Sequence, residues 1–150
     1  MIIIGYQGIG KSTLALRDNK FIDLESSNFY NNGERPDNWY VYYCNIANNL
    51  SEQGFNVFVS SHKVVRDRLK KYSNQNLICV YPSLNLKDEW VRKLQVRFQN
   101  DKSEKNYKAL MNAIDKYEEN ITDLMNCGIF GVELVSMNYD LESLTLLANE

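Results

Sequence analysis

Met1-Ile2-Ile3-Ile4-Gly5-Tyr6-Gln7-Gly8-Ile9-Gly10-Lys11-Ser12-Thr13 decides the fold. Ile2-Ile3-Ile4 reads as a short apolar strand, because β-branched side chains suit a pleated backbone. Gly5, Gly10, Lys11 and Ser12 then satisfy the spacing G-x-x-x-x-G-K-[ST], and Gly8 adds a third glycine. The spacing has a chemical reason. Glycine permits backbone conformations closed to other residues, and consecutive amides with the start of a helix can surround phosphate oxygens. Lys11 is expected to reach the β and γ groups of a triphosphate and the Ser12 hydroxyl to ligate magnesium. The residues expected to hold ATP are Gly5, Gln7, Gly8, Ile9 and Gly10 in the loop, with Lys11, Ser12 and Thr13 opening the helix.

Outward from this segment, strand-like runs recur at Phe21 to Leu24, Phe55 to Val59, Leu77 to Tyr81 and Val132 to Ser136. Helical apolar spacing fills the intervals over Ser12 to Arg17, Trp39 to Ser51, Val64 to Tyr72, Lys87 to Phe98 and Tyr107 to Leu124. A terminal helix is predicted around Leu141 to Leu147, and Pro36 and Pro82 are expected in loops. Such alternation predicts an α/β fold, a parallel sheet covered by helices, with ligands beyond the carboxyl ends of the strands.

The layout resembles the small P-loop kinases of nucleotides and other metabolites, particularly the short nucleoside-monophosphate-kinase-like proteins of bacteriophages and their hosts. The resemblance spans most of the chain, but only the phosphate loop is a specific motif. It implies a three-layer α/β/α P-loop NTPase fold with a five-stranded parallel sheet in the order 2-3-1-4-5. It also implies an acceptor site near the second and third strands and an arginine-bearing lid after the fourth. The expected organisation is one domain over 1–150, with an acceptor-closing segment 25–53 and a lid segment 87–106.

Candidate site residues follow the strands. Asp23 and Glu25 point to one side by alternation; they are placed to orient an acceptor, take its proton or hold magnesium through water, or simply to cap the next segment. Asp23 is the expected metal partner of Ser12. The third strand ends in Ser60-Ser61-His62, where kinases of this type often carry a Walker B aspartate. The serines are candidates for magnesium through water or acceptor phosphate, and Ser61 equally for a helix N-cap. His62 is either a base or a structural residue. Arg66 resembles the arginine that grips the acceptor phosphate in nucleoside monophosphate kinases, and Arg68 should face elsewhere. A solvated helix face is the competing reading.

Past the fourth strand, Arg92 and Arg97 are candidates to stabilise the transferring phosphoryl group. Five residues apart, they diverge by more than about 100° on a straight helix and cannot both meet one phosphate. The polar segment 99–105 serves as a lid tip or a connector. Phe29-Tyr30 and Trp39 to Tyr43 offer rings for a nucleobase or pack a core, and the turn-rich loop 31–38 can close over an acceptor. Asn138 is a weaker candidate near the adenine.

Composition narrows the alternatives. The 150 residues, 44% hydrophobic and 24% charged, suffice for one ordinary core. Seventeen basic against nineteen acidic residues give a net charge of -2, which offers no whole-chain signal for nucleic acid or membrane. Cys44, Cys79 and Cys127 lack zinc-site or disulfide-framework spacing. The opening apolar run has no basic segment before it and stops at Gly5, so the expectation is a cytoplasmic chain without a secretory signal. The expected activity is ATP-dependent phosphoryl transfer to a small acceptor, most plausibly a nucleoside or deoxynucleoside monophosphate. Alternatives are a nucleoside or other metabolite kinase, and a nucleotide-binding ATPase or switch acting on a protein partner.

Overall fold

The computed structural model describes residues 1–29 and 36–149. Five strands, β1 (Ile2–Gly5), β2 (Phe21–Asp23), β3 (Asn56–Val59), β4 (Leu77–Pro82) and β5 (Gly131–Leu134), form one sheet. All its pairings are parallel, and the order is β2-β3-β1-β4-β5. Ile2 sits opposite both Val57 and Leu77, which makes β1 the central strand. Its residues are buried throughout, as expected where helices cover both faces of a parallel sheet. Each fully buried isoleucine contributes about 2 kcal/mol by removal from water.

Helices α1 (Lys11–Arg17), α2 (Trp39–Glu52), α3 (Lys63–Tyr72), α4 (Lys87–Asn100) and α5 (Glu104–Met125) alternate with the strands, the last two together between β4 and β5. Right-handed crossovers require α1 on one face of this sheet and α2 through α5 on the other. The connections leaving β1 and β3 therefore part to opposite faces, and a crevice opens beyond their carboxyl ends. Both Gly5 to Lys11 and Ser60 to His62 emerge there.

Two helix joints fix that crevice. Between α4 and α5, Ser103 Oγ accepts from Asn106 N at 3.2 Å, and the buried Asn106 donates Nδ2 to Asp101 O at 2.8 Å. These bonds satisfy a helix start and turn the chain back within three residues. Within α5, Lys116 has φ -135° and ψ 21°, outside helical values, so the helix kinks there.

The terminal helix predicted around Leu141 to Leu147 is present as a 3-10 helix over Leu141–Asn149. Two sequence expectations shift. Pro82 closes β4, at a strand end where its missing N–H is tolerated. The α5 helix starts at Glu104, so most of the polar 99–105 stretch belongs to helix ends. Tyr30 and loop residues 31–35 lie outside the described residues. Among the described residues, no helix is long and apolar enough to cross a membrane.

Candidate active site

The loop after β1 needs its glycines for separate reasons. Gly8 and Gly10 have φ of 88° and 104°, a region L side chains rarely adopt. At Gly5 the obstacle is space, because an added Cβ would stand 2.6 Å from Ile9 Cδ1. Three loop carbonyls meet donors from outside the loop: Lys11 Nζ donates to Gly5 O at 3.4 Å, Trp90 Nε1 to Gln7 O at 2.9 Å, and the Tyr139 hydroxyl to Ile9 O at 2.8 Å. In a trans peptide the N–H points opposite to the carbonyl. Drawing the carbonyls of Gln7 and Ile9 toward Trp90 and Tyr139 thus turns the amides of Gly8 and Gly10 the other way. The amides of Lys11, Ser12 and Thr13 open α1 and have no intrahelical acceptor.

A cleft of about 920 Å³ lies over this loop. Gly5, Gln7, Gly8 and Gly10 line it with Lys11, Ser12 and Thr13; Ile9 is buried behind them. Asp23 and Glu25 face it from the end of β2, and Ser60, Ser61 and His62 from the end of β3. Arg66 also lines it, 8% exposed, its Nε donating to Ser61 O at 3.0 Å. Arg68 instead lies over the Tyr72 ring, 4.1 Å from its centroid.

Arg97 lines the cleft from α4, whereas Arg92 is exposed and is not among the lining residues. Helix geometry accounts for the split, since five residues rotate a side chain by about 140°. Ser61 does not cap α3; that position belongs to His62, whose side chain makes no capping bond. The His62 Nδ1 hydrogen-bonds the Ser60 hydroxyl, and its ring stands edge-on to Trp39 at 5.6 Å. Trp39 and Tyr43 belong to the core, and none of the 39–43 aromatics lines the cleft. Asn138 is exposed outside it.

No protein family model matches the chain, and no curated protein matches it. The fold therefore rests on the strand order, and the reading of the site on its chemistry.

That chemistry is dominated by crowded charge. Burial lowers the Lys11 pKa although Asp23 and Glu25 lie close enough to raise it. Burial likewise raises the Asp23 carboxyl, against the pull of Lys11. Glu25 differs: burial would raise it, but the hydrogen-bonded Lys105 ammonium outweighs that and holds it below the usual carboxylate value. Burial, with Arg97 nearby, also lowers Lys93.

Four further residues shape the site: Lys93 and Tyr139 had no role assigned from sequence, Lys105 stood only within the 99–105 lid tip or connector, and Tyr43 only among rings for a base or the core. Lys93 donates to the Tyr139 hydroxyl at 2.9 Å and lies 4.5 Å over the Trp90 ring, joining a chain that continues to the Ile9 carbonyl. Burial pushes the Tyr139 hydroxyl up to about 12, keeping it a donor. Lys105 pairs with Glu25, and both line the cleft. Tyr43 donates to Leu24 O at 2.7 Å and accepts from Ser60 N at 2.8 Å, tying the ends of β2 and β3. Only Lys93 had a usable signal, since it is four residues before Arg97 and shares its helix face.

Among the described residues, no group of three or more His, Cys, Asp or Glu is placed to hold a metal ion. The donors the cleft does offer beside Lys11 are the Ser12 hydroxyl and the Asp23 and Glu25 carboxylates. These hard oxygens suit magnesium, which commonly takes one or two protein ligands and completes its shell with phosphate oxygens and water.

Proposed function

We propose that this protein transfers the γ-phosphoryl group of ATP to a small phosphorylated acceptor, with a nucleoside or deoxynucleoside monophosphate as the leading class. The observation that carries the reading is charge. Eight lysines and arginines line the cleft against four carboxylates, and with Lys63 paired to Asp67 outside the lining an excess of three positive charges remains in a chain of net charge -2. Magnesium-bound triphosphate brings about two negative charges and a phosphate monoester about two more at neutral pH. A nucleoside or sugar acceptor brings no charge and leaves part of that excess unmatched.

The division of labour follows position. Amides of the phosphate loop and Lys11 bind the triphosphate, and Ser12 and Asp23 are the residues that would hold magnesium. Bound there, the ion would neutralise phosphate charge. Arg66, a buried guanidinium without a carboxylate partner among the described residues, is assigned to the acceptor phosphate. Arg97 and Lys93 stabilise the group in flight. The bond from the γ-phosphorus to the β–γ bridging oxygen breaks, and an acceptor phosphate oxygen forms the new one. That oxygen is already ionised, so no base is required. The serines at the end of β3 are then no obstacle, and His62 needs no proton-transfer role.

A two-headed mimic, adenosine joined through a phosphate chain to a second nucleoside, tests the paired site. It should bind at least about a hundredfold more tightly than ATP, by making one ligand of two. Equal affinity for the mimic and ATP would remove the acceptor site and leave the ATPase or switch reading.

A further inference from the structure

The ion pair between Lys105 and Glu25 lies among the residues that line the cleft. It joins the first turn of α5 to the segment after β2, two stretches that line the same cleft as the phosphate loop. The Lys105 side chain is the freer partner, 51% exposed, whereas that of Glu25 is 29% exposed and also accepts from the Ser27 backbone. The backbone beneath Lys105 is fixed by the Ser103 and Asn106 bonds of the α4–α5 turn. Its ammonium can therefore swing on a long stem from a stationary base. Both residues line the same cleft as Lys11, the loop's own cation.

Resting on the triphosphate reading above, we infer that Lys105 exchanges Glu25 for the phosphates of bound nucleotide, so that nucleotide binding itself releases the Glu25 carboxylate. A polyphosphate offers more charge than one carboxylate, and the exchange conserves the number of ionic contacts. Lys105 is thus a positioning residue for Glu25 in the free protein and a phosphate contact in the loaded one. The free carboxylate is then available to the metal or the acceptor only once the donor is in place.

Calorimetric titration of ATP in EDTA, on the full chain and its variants, isolates the phosphate contact from metal. Glu25→Gln should tighten ATP binding by about fivefold, and Lys105→Met should weaken it by about as much. In the Lys105→Met background, Glu25→Gln should change affinity by less than about twofold, because the cation it frees is gone. Lys105→Arg should restore the response to Glu25→Gln. An equal effect of Glu25→Gln in both backgrounds overturns the exchange, since it marks simple repulsion between carboxylate and phosphate. Unchanged affinity in Lys105→Met overturns it as well. Failure of the unmutated protein to bind ATP at all sinks the triphosphate reading instead, a result separate from an additive cycle in a protein that binds.

Discussion

The indole N–H of Trp90 donates to the carbonyl of Gln7 at 2.9 Å, across 83 residues of sequence. A helix that follows the fourth strand thereby holds the phosphate loop from behind. Trp90 is fully buried, and its ring lies almost parallel to that of Tyr139, which grips Ile9. Replacing it with Phe keeps an aromatic ring but strands the Gln7 carbonyl. Trp90→Phe should lower stability by about 1 to 2 kcal/mol in urea denaturation and weaken ATP binding. Unchanged ATP affinity would show that the loop holds its shape without that bond.

The two positive-φ glycines of the phosphate loop, Gly8 and Gly10, should respond unequally. At Gly10 an added Cβ has only Leu141 Cδ1 nearby, at 3.7 Å, so Gly10→Ala incurs the backbone penalty of about 1 kcal/mol. At Gly8 the Cβ would also meet Leu94 Cδ2 at 3.0 Å and Trp90 Nε1 at 3.1 Å. Gly8→Ala should therefore be the more destabilising of the two in thermal melts. The reverse order would mean that the packing of α4 against the loop is looser than these distances.

The buried Tyr43 hydroxyl is the only tie described between the Leu24 carbonyl and the Ser60 amide. Tyr43→Phe leaves both without a protein partner and should cost about 2 kcal/mol, read from denaturant midpoints. It also loosens Asp23 and Glu25 relative to the phosphate loop, so activity should fall while the fold persists.

Opposite pH dependences are expected for the two carboxylates. Glu25 has a folded pKa below its usual 4.5, so its contribution to stability is present above 4.5 and is lost as pH falls through the lowered value. Asp23 is raised above its usual 3.8, so its contribution is present below 3.8 and is lost as pH rises through the raised value. At neutral pH, Asp23→Asn should stabilise the free protein and Glu25→Gln should destabilise it. Melting curves from pH 7 to 3 check this: both differences should shrink toward the acid end. The same sign for both variants at neutral pH would contradict the assigned charge environments.

Much of this architecture was legible because local signals agreed. Ile2-Ile3-Ile4 before a glycine-rich loop fixed the central strand, and alternating strand and helix runs gave a parallel sheet whose implied order is the one observed. Boundaries moved by a few residues where caps, not periodicity, set them, as Ser103 does for α5. The site was less legible. Asp23 and Glu25 came from strand-end alternation and Arg66 from the kinase resemblance, and all three line the cleft; of Arg92 and Arg97, left open by the sequence, only Arg97 does. Lys105, Tyr139 and Tyr43 reach the site only through contacts 80, 130 and 17 or 19 residues away in sequence, which no local pattern encodes. The aromatic run from Trp39 allowed either a base platform or core packing; Trp39 and Tyr43 take the core while Tyr42 is exposed, because tertiary burial decides the fate of a ring.

The central claim is transfer, and the most direct measurement follows the γ-phosphoryl group itself. Incubation with γ-labelled ATP, magnesium and a panel of nucleoside and deoxynucleoside monophosphates should move the label onto at least one of them, giving the diphosphate. The transfer should vanish in Lys11→Met and fall at least about a hundredfold in Arg66→Gln. ATP binding with no label on any nucleotide, or label released only as inorganic phosphate, would contradict the account.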